Sequence, residues 1–188
     1  MNEQKKQDDS HSFAWEDKSI ARAETVRVLL EHGADVTAQD DAYSMPLHLA
    51  SSEGAPDIAR LLIEYGADIN SLDGNRKTPL HLAASGVSAK KKTALSLQQR
   101  ADVKEQNNDP IGYDMWKLDT KLETVQVLLE HDADVTARDD THSTPLHLAS
   151  SEGSLEITQL LVKYGAAINA RDGNGKTPLH LVSEIVSA

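Results

Sequence analysis

Eight histidines and an excess of carboxylates are the reactive groups of this 188-residue chain, and their spacing decides what chemistry they can do. Four of the histidines, His48, His81, His147 and His180, recur inside one phrase, P-L-H-L. A residue repeated at the same place in a phrase is set by that phrase, which points to a structural role. His32 and His131 fall where a helix pattern ends, a place that favours partial positive charge. No HExxH or comparable ligand spacing occurs, and the chain has no cysteine. Zinc-thiolate sites, disulfides and thiol nucleophiles are excluded, and no metal is expected.

The acidic pairs Asp40-Asp41 and Asp139-Asp140 lack the glycine-centred loop of oxygen ligands that calcium needs. Ser51-Ser52 and Ser150-Ser151 stand beside glutamate and near histidine. A serine nucleophile, however, needs a base oriented by a third group in a pocket, and a repeated phrase is a poor place for one. Asp73-Gly74-Asn75 and Gly173-Asn174-Gly175 lack both the GK[ST] context and the preceding strand of a phosphate loop, so they read as turns. Lys90-Lys91-Lys92 reads as a solvated helix face, with a nuclear import signal as the alternative. No catalytic residue and no cofactor follow from these patterns, and the chain reads as a non-enzyme.

Charge narrows the partner. Thirty acidic residues against nineteen basic ones give a net charge of −11. Such a surface repels phosphate backbones and anionic headgroups, so neither nucleic acid nor membrane is expected, and a basic protein segment is favoured. The opening MNEQKKQDDS has no apolar stretch of signal-peptide type. No apolar run approaches the roughly 20 residues needed to span a bilayer. An intracellular, cytoplasmic location is expected, with a nuclear one left open.

The elements that position these residues are repeats. Pro46, Pro79, Pro145 and Pro178 stand 33, 66 and 33 residues apart, each six residues after an aspartate (Asp40, Asp73, Asp139, Asp172). The phrase G-A-[DA]-[VI]-[TN] begins at Gly33, Gly66 and Gly165, and Asp132 replaces the glycine in its fourth occurrence. Residues 24–89 align without a gap with 123–188, with 45 of 66 positions identical, so a 99-residue block is duplicated. A 33-residue frame then gives units at 7–39, 40–72, 73–105, 106–138, 139–171 and 172–188 in a single array over 1–188. Units one and four and the second half of unit three are degenerate. Phe13-Ala14-Trp15 and Tyr113-Asp114-Met115-Trp116 stand in for the proline phrase, and 87–122 is either a stacked degenerate repeat or a protruding loop.

Each regular unit predicts two short helices. In unit two, Pro46 suits a first helical position, Leu47 and Ala50 share a face, and Gly54 ends the helix. A second helix over about 57–64 carries Ile58, Leu61 and Leu62 at i, i+3, i+4 spacing, and Gly66 ends it. Thr78, Thr144 and Thr177 offer capping hydroxyls, and Met45 does not. Helices of two turns cannot bury such faces alone, so stacked neighbours must supply the core.

These phrases resemble the ankyrin repeat, whose signature is a 33-residue period with T-P-L-H-x-A, the best match being D-G-N-G-K-T-P-L-H at 172–180. The resemblance covers about 40–86 and 123–181. It implies an all-α solenoid of stacked helix–turn–helix units, about five and a half repeats long. It also implies a non-enzymatic protein–protein interaction module, a scaffold or adaptor that binds through a concave face of turn tips and first helices. Carried over by position, that face is Asp41, Ala42, Tyr43, Ser44, Ser52 and Glu53 in unit two and Asn75, Lys77 and Ser85 in unit three. Unit five gives Asp140, Thr141, His142, Ser143, Ser151 and Glu152, and unit six gives Asn174 and Lys176.

The family's histidine ties adjacent turns together, which accounts for the P-L-H-L series. The family usually has glycine three residues before the proline. Here Tyr43, Arg76 and His142 hold that place and only Gly175 conforms, so altered turns are expected, with Asn75 able to absorb one of them. The last unit leaves Leu179, Leu181, Val182, Ile185 and Val186 without a following layer. Two alternatives follow: a substrate-targeting piece of a larger enzyme or ubiquitin-ligase subunit, and self-association through the uncapped C-terminal end.

Overall fold

The computed structural model describes residues 9–85 and 110–184, with the side chains of 9–18 and 110–119 left out of the description. Eight helices and no strand occur among the described residues: α1 (Asp9–Glu31), α2 (Pro46–Glu53), α3 (Pro56–Glu64) and α4 (Pro79–Ala84), then α5 (Pro110–Glu130), α6 (Pro145–Glu152), α7 (Leu155–Lys163) and α8 (Pro178–Glu184). The expected helices of unit two are present to within one residue. Lys90-Lys91-Lys92, Ile185 and Val186 lie outside the described residues.

Five of the six short helices start at a proline, which presets φ and needs no hydrogen-bond partner, and α7 starts at Leu155 instead. In α2, Leu47, His48, Ala50 and Ser51 are buried. In α3, Ala59, Leu61 and Leu62 are buried, and Ile58 packs against them. Gly54 closes α2 at φ 70°, and a side chain there would strike Lys121 of α5. Side chains of Leu47, Leu80, Leu128, Leu146, Ile157 and Leu161 are fully buried in one continuous core. Each contributes about 1.5–3 kcal/mol relative to exposure, so stacking of small units replaces a single large core.

Packing departs from the successive frame 73–105 and 106–138. α4 packs on α5, and α5 also lies on α3, as a second helix does on its neighbours. The layer opened by the turn at 73–78 is therefore completed by the C-terminal half of α5, where Thr124, Val125, Val127, Leu128 and Leu129 are buried. Lys121, equally buried, donates from Nζ to the carbonyls of Leu82 (3.1 Å) and Ser85 (2.8 Å), closing the end of α4. Phe13–Trp15 and Tyr113–Trp116 fall within the long helices α1 and α5 rather than at the start of short first helices. A proline phrase is needed to start a short helix after a turn, and neither segment has one.

Candidate functional site

Four turns, at 40–45, 73–78, 139–144 and 172–177, form a ladder along one edge of the stack. Each is closed by its first aspartate. Asp40 Oδ1 accepts from the amides of Ala42 (2.8 Å) and Ser44 (2.9 Å), and Asp73 Oδ1 accepts from Asn75 and Lys77. Asp139 serves Thr141 and Ser143, and Asp172 serves Asn174 and Lys176. Loss of water around Asp172 pushes its pKa up, but the Lys176 and Asn174 amides outweigh that and hold it below its ordinary value.

Turns are joined to one another by backbone bonds. Gly74 donates to the Ala42 carbonyl (2.9 Å), Asp140 to Asn75 (3.1 Å) and Gly173 to Thr141 (2.8 Å). A Cβ at Gly74 or Gly173 would lie 2.9 Å from that same carbonyl oxygen, which explains the glycines. Histidines add the second tie. The amides of Met45, Thr78 and Thr144 donate to Nδ1 of His48, His81 and His147 at 3.1–3.2 Å. An N–H can only donate, so each Nδ1 is the bare nitrogen and each Nε2 carries the proton. His48 Nε2 donates to the Ser71 and Lys77 carbonyls, His81 Nε2 to Ser143 (3.0 Å) and His147 Nε2 to Lys176 (3.2 Å). The Thr78 hydroxyl caps α4 by accepting from the His81 amide (3.4 Å), and the Thr78 and Thr144 hydroxyls also bond to the histidine ring at 2.9 Å.

The turns are not altered by the missing glycines. Tyr43, Arg76 and His142 take φ of 57°, 58° and 61°, the left-handed region that Gly175 occupies at 75°. Arg76 itself, and not Asn75, adopts that conformation. Asp132 does the same at 64°, where Gly33, Gly66 and Gly165 stand in the other units. Left-handed backbone costs a non-glycine residue about 1–2 kcal/mol.

The expected surface residues are brought to one edge with some exceptions. Asp41, Ala42, Tyr43, Asn75, Asp140, Thr141, His142 and Asn174 are exposed at the tips, while Ser44, Lys77 and Lys176 are half-buried on the returning side. Ser143 does not face outward: it is buried, its amide is held by Asp139, and its carbonyl receives His81. On the first helices Glu53 is exposed and Glu152 half-buried. The hydroxyls of Ser52, Ser85 and Ser151 turn back to the carbonyls of Leu49, Leu82 and Leu148, leaving less for a partner to bond.

Two features escaped the sequence reading. Arg76 joins Tyr43 and His142 as an exposed tip side chain. Leu49 is 52% exposed although it sits two residues from buried Leu47. Two residues are about 200° apart on a helix, so P-L-H-L cannot bury both leucines on one face. The charge along the ladder also alternates rather than being uniformly acidic: Asp41 and Asp140 are interleaved with Arg76, Lys77 and Lys176. Among the described residues, no three histidine or acidic side chains are grouped to hold a metal. No described helix is long and apolar enough to cross a membrane.

Comparison with known families agrees with this geometry. The family model described as ankyrin repeats (3 copies) matches residues 18–107, and the one described as ankyrin repeats (many copies) matches 128–182. The chain belongs to the ankyrin-repeat family. Repeats of this family generally mediate protein–protein interaction and are typically non-catalytic. No curated protein matches the chain closely enough to count as a relative.

Proposed function

We propose that this chain is a non-enzymatic scaffold or adaptor that holds a protein partner on its turn tips and first helices. The observation that carries the reading is the strain at the tips. Tyr43, Arg76 and His142 occupy left-handed backbone where glycine would fit freely, and all three are exposed. The turn sets that backbone, each amide donating to the Asp40, Asp73 or Asp139 carbonyl, and an exposed side chain kept there at a cost, where glycine would serve, is a mark of a functional surface. Leu49, exposed beside Glu53, supplies an apolar contact on the same edge. A pre-stacked surface of this kind binds without a large ordering cost.

The partner proposed is a basic segment, drawn to Glu53 and Glu152 on the first helices and to Asp41 and Asp140 at the tips, with the interleaved cations setting its register. The test is capture from a lysate by the wild-type chain and by a folded Glu53→Lys, Asp140→Lys, Glu152→Lys variant. A protein held by the first and lost by the second supports the reading. A protein held equally by both contradicts it. A second reading, self-association through α8, is favoured by Leu179, which is 72% exposed where its equivalent Leu80 is fully buried.

A further inference from the structure

The duplicated block contains an instruction for joining copies. The matching stretches 24–89 and 123–188 each open within a long helix that is the second half of a layer (α1 or α5) and have a short first helix (α4 or α8) as their last described element. Among the described residues neither stretch ends in a whole layer. Inside the chain the two incomplete ends meet: α4, closing the first copy, packs on α5, opening the second, and also on α6. Outside it, α1 and α8 each keep one such face without that counterpart among the described residues.

Both unpaired faces keep the residues of the joint. On the long helix, Thr124, Val127 and Leu128 are fully buried at the joint. Their equivalents 99 positions earlier are the same residue types, Thr25, Val28 and Leu29, and all three are exposed, Leu29 to 56%. On the short helix, His81 donates to Ser143, whereas His180 repeats the bonds from Thr177 to its Nδ1 and is exposed. The residue equivalent to Ser143 is Ser44. Asn70, which accepts from the Asp134 amide across the joint, is matched by Asn169, and Asp134 by Asp35.

We infer that α8 of one molecule docks on α1 and α2 of a second copy in the geometry of α4 on α5 and α6, and so builds a head-to-tail assembly. This rests on the reading of α8 as a self-association end and names the surface that receives it. Leu179 enters beside Leu29, His180 reaches the Ser44 carbonyl, and Arg22 takes the place of Lys121 at the end of the first helix. Arg22 then faces Glu184, which replaces Ser85, so opposite charges meet there.

Three changes make this joint weaker than the internal one. Buried Ala83 becomes the larger Val182, buried Ala84 becomes Ser183, and the Arg60–Glu123 ion pair at 3.4 Å becomes Gln159 with Glu24. Association is therefore reversible and grows with concentration. A contact between two different faces repeats without closing unless its rotation happens to complete a ring, so oligomers larger than dimers form.

Sedimentation velocity of the whole chain tests this with Leu29→Glu and Leu179→Glu. Both positions are exposed, so each variant keeps its helical signal. The wild type is expected to rise above the 20.5 kDa monomer, and past the dimer, as concentration rises. Each variant alone is expected to stay monomeric. Their equimolar mixture is expected to stop at a dimer, because Leu29→Glu keeps a working tail and Leu179→Glu a working head. If Leu29→Glu associates as the wild type does while Leu179→Glu is monomeric, tail meets tail and the head-to-tail arrangement is overturned. If the wild type stays monomeric throughout, self-association through α8 is overturned with it.

Discussion

His81 Nε2 lies 3.0 Å from the Ser143 carbonyl, across 62 residues of chain, where His48 and His147 each reach a carbonyl 29 residues ahead. The difference of 33 is one repeat length. In space the ladder of turns passes directly from the turn at 73–78 to the one at 139–144. The Asp140 amide confirms the step by donating to Asn75.

Loss of that bond should weaken the joint between the two copies. His81→Ala removes the ties to Thr78 and Ser143 and leaves a buried carbonyl without its donor, a cost of about 1–3 kcal/mol. His180→Ala, at an exposed ring, should change stability by less than about 0.5 kcal/mol. Urea unfolding of the two variants checks the contrast, and equal losses would contradict the assignment.

Acid should weaken the same joint. Burial holds the His81 pKa below its ordinary 6.5, and the bond to Ser143 only partly offsets this. The unfolded ring titrates near 6.5, so below that pH the unfolded state binds a proton that the folded one refuses. This contribution to stability falls as pH drops from 6.5 toward the lowered folded value, and it is flat above 6.5. Urea midpoints measured at about pH 7.5 and 5.5 should differ more in the wild type than in His81→Gln.

Lys121 gives a third expectation. It is buried, and its ammonium sits on the Leu82 and Ser85 carbonyls at the end of α4. Lys121→Met should cost about 1–3 kcal/mol by leaving those acceptors without their donor. Lys121→Arg should retain most of the stability, since a guanidinium can reach the same carbonyls. Thermal unfolding of both variants separates loss of the bonds from loss of the side chain's bulk.

The regular layers were legible because their physics is local. Proline and the P-L-H-L phrase start α2, α4, α6 and α8, a glycine closes α2 and α6, and the aspartates close their own turns. The pairing of α4 with α5 was not legible in the same way. A 33-residue frame counts residues along the chain, whereas α5 finds α4 through buried Leu128 and Lys121, which no spacing rule distinguishes from Leu29 and Arg22. Ser143 was misplaced as a surface residue for a similar reason. Its neighbours at the tip are exposed, and only the arrival of His81 from the preceding layer buries it. The alternation of charge was written in the sequence, but it gained meaning only once the four tips stood side by side.

The strained tips offer the most direct test. Left-handed backbone costs Tyr43, Arg76 and His142 about 1–2 kcal/mol each, and glycine's extra freedom in the unfolded chain returns about 0.5–1 of that. Each glycine substitution should therefore stabilise the fold by about 0.5–1 kcal/mol, roughly additively. The decisive measurement pairs unfolding with partner capture for the triple variant Tyr43→Gly, Arg76→Gly, His142→Gly. The triple variant is expected to be more stable and no longer to hold the partner captured by the wild type. A variant that gains stability and captures the partner unchanged would contradict the proposed function, because the strain would then serve no contact.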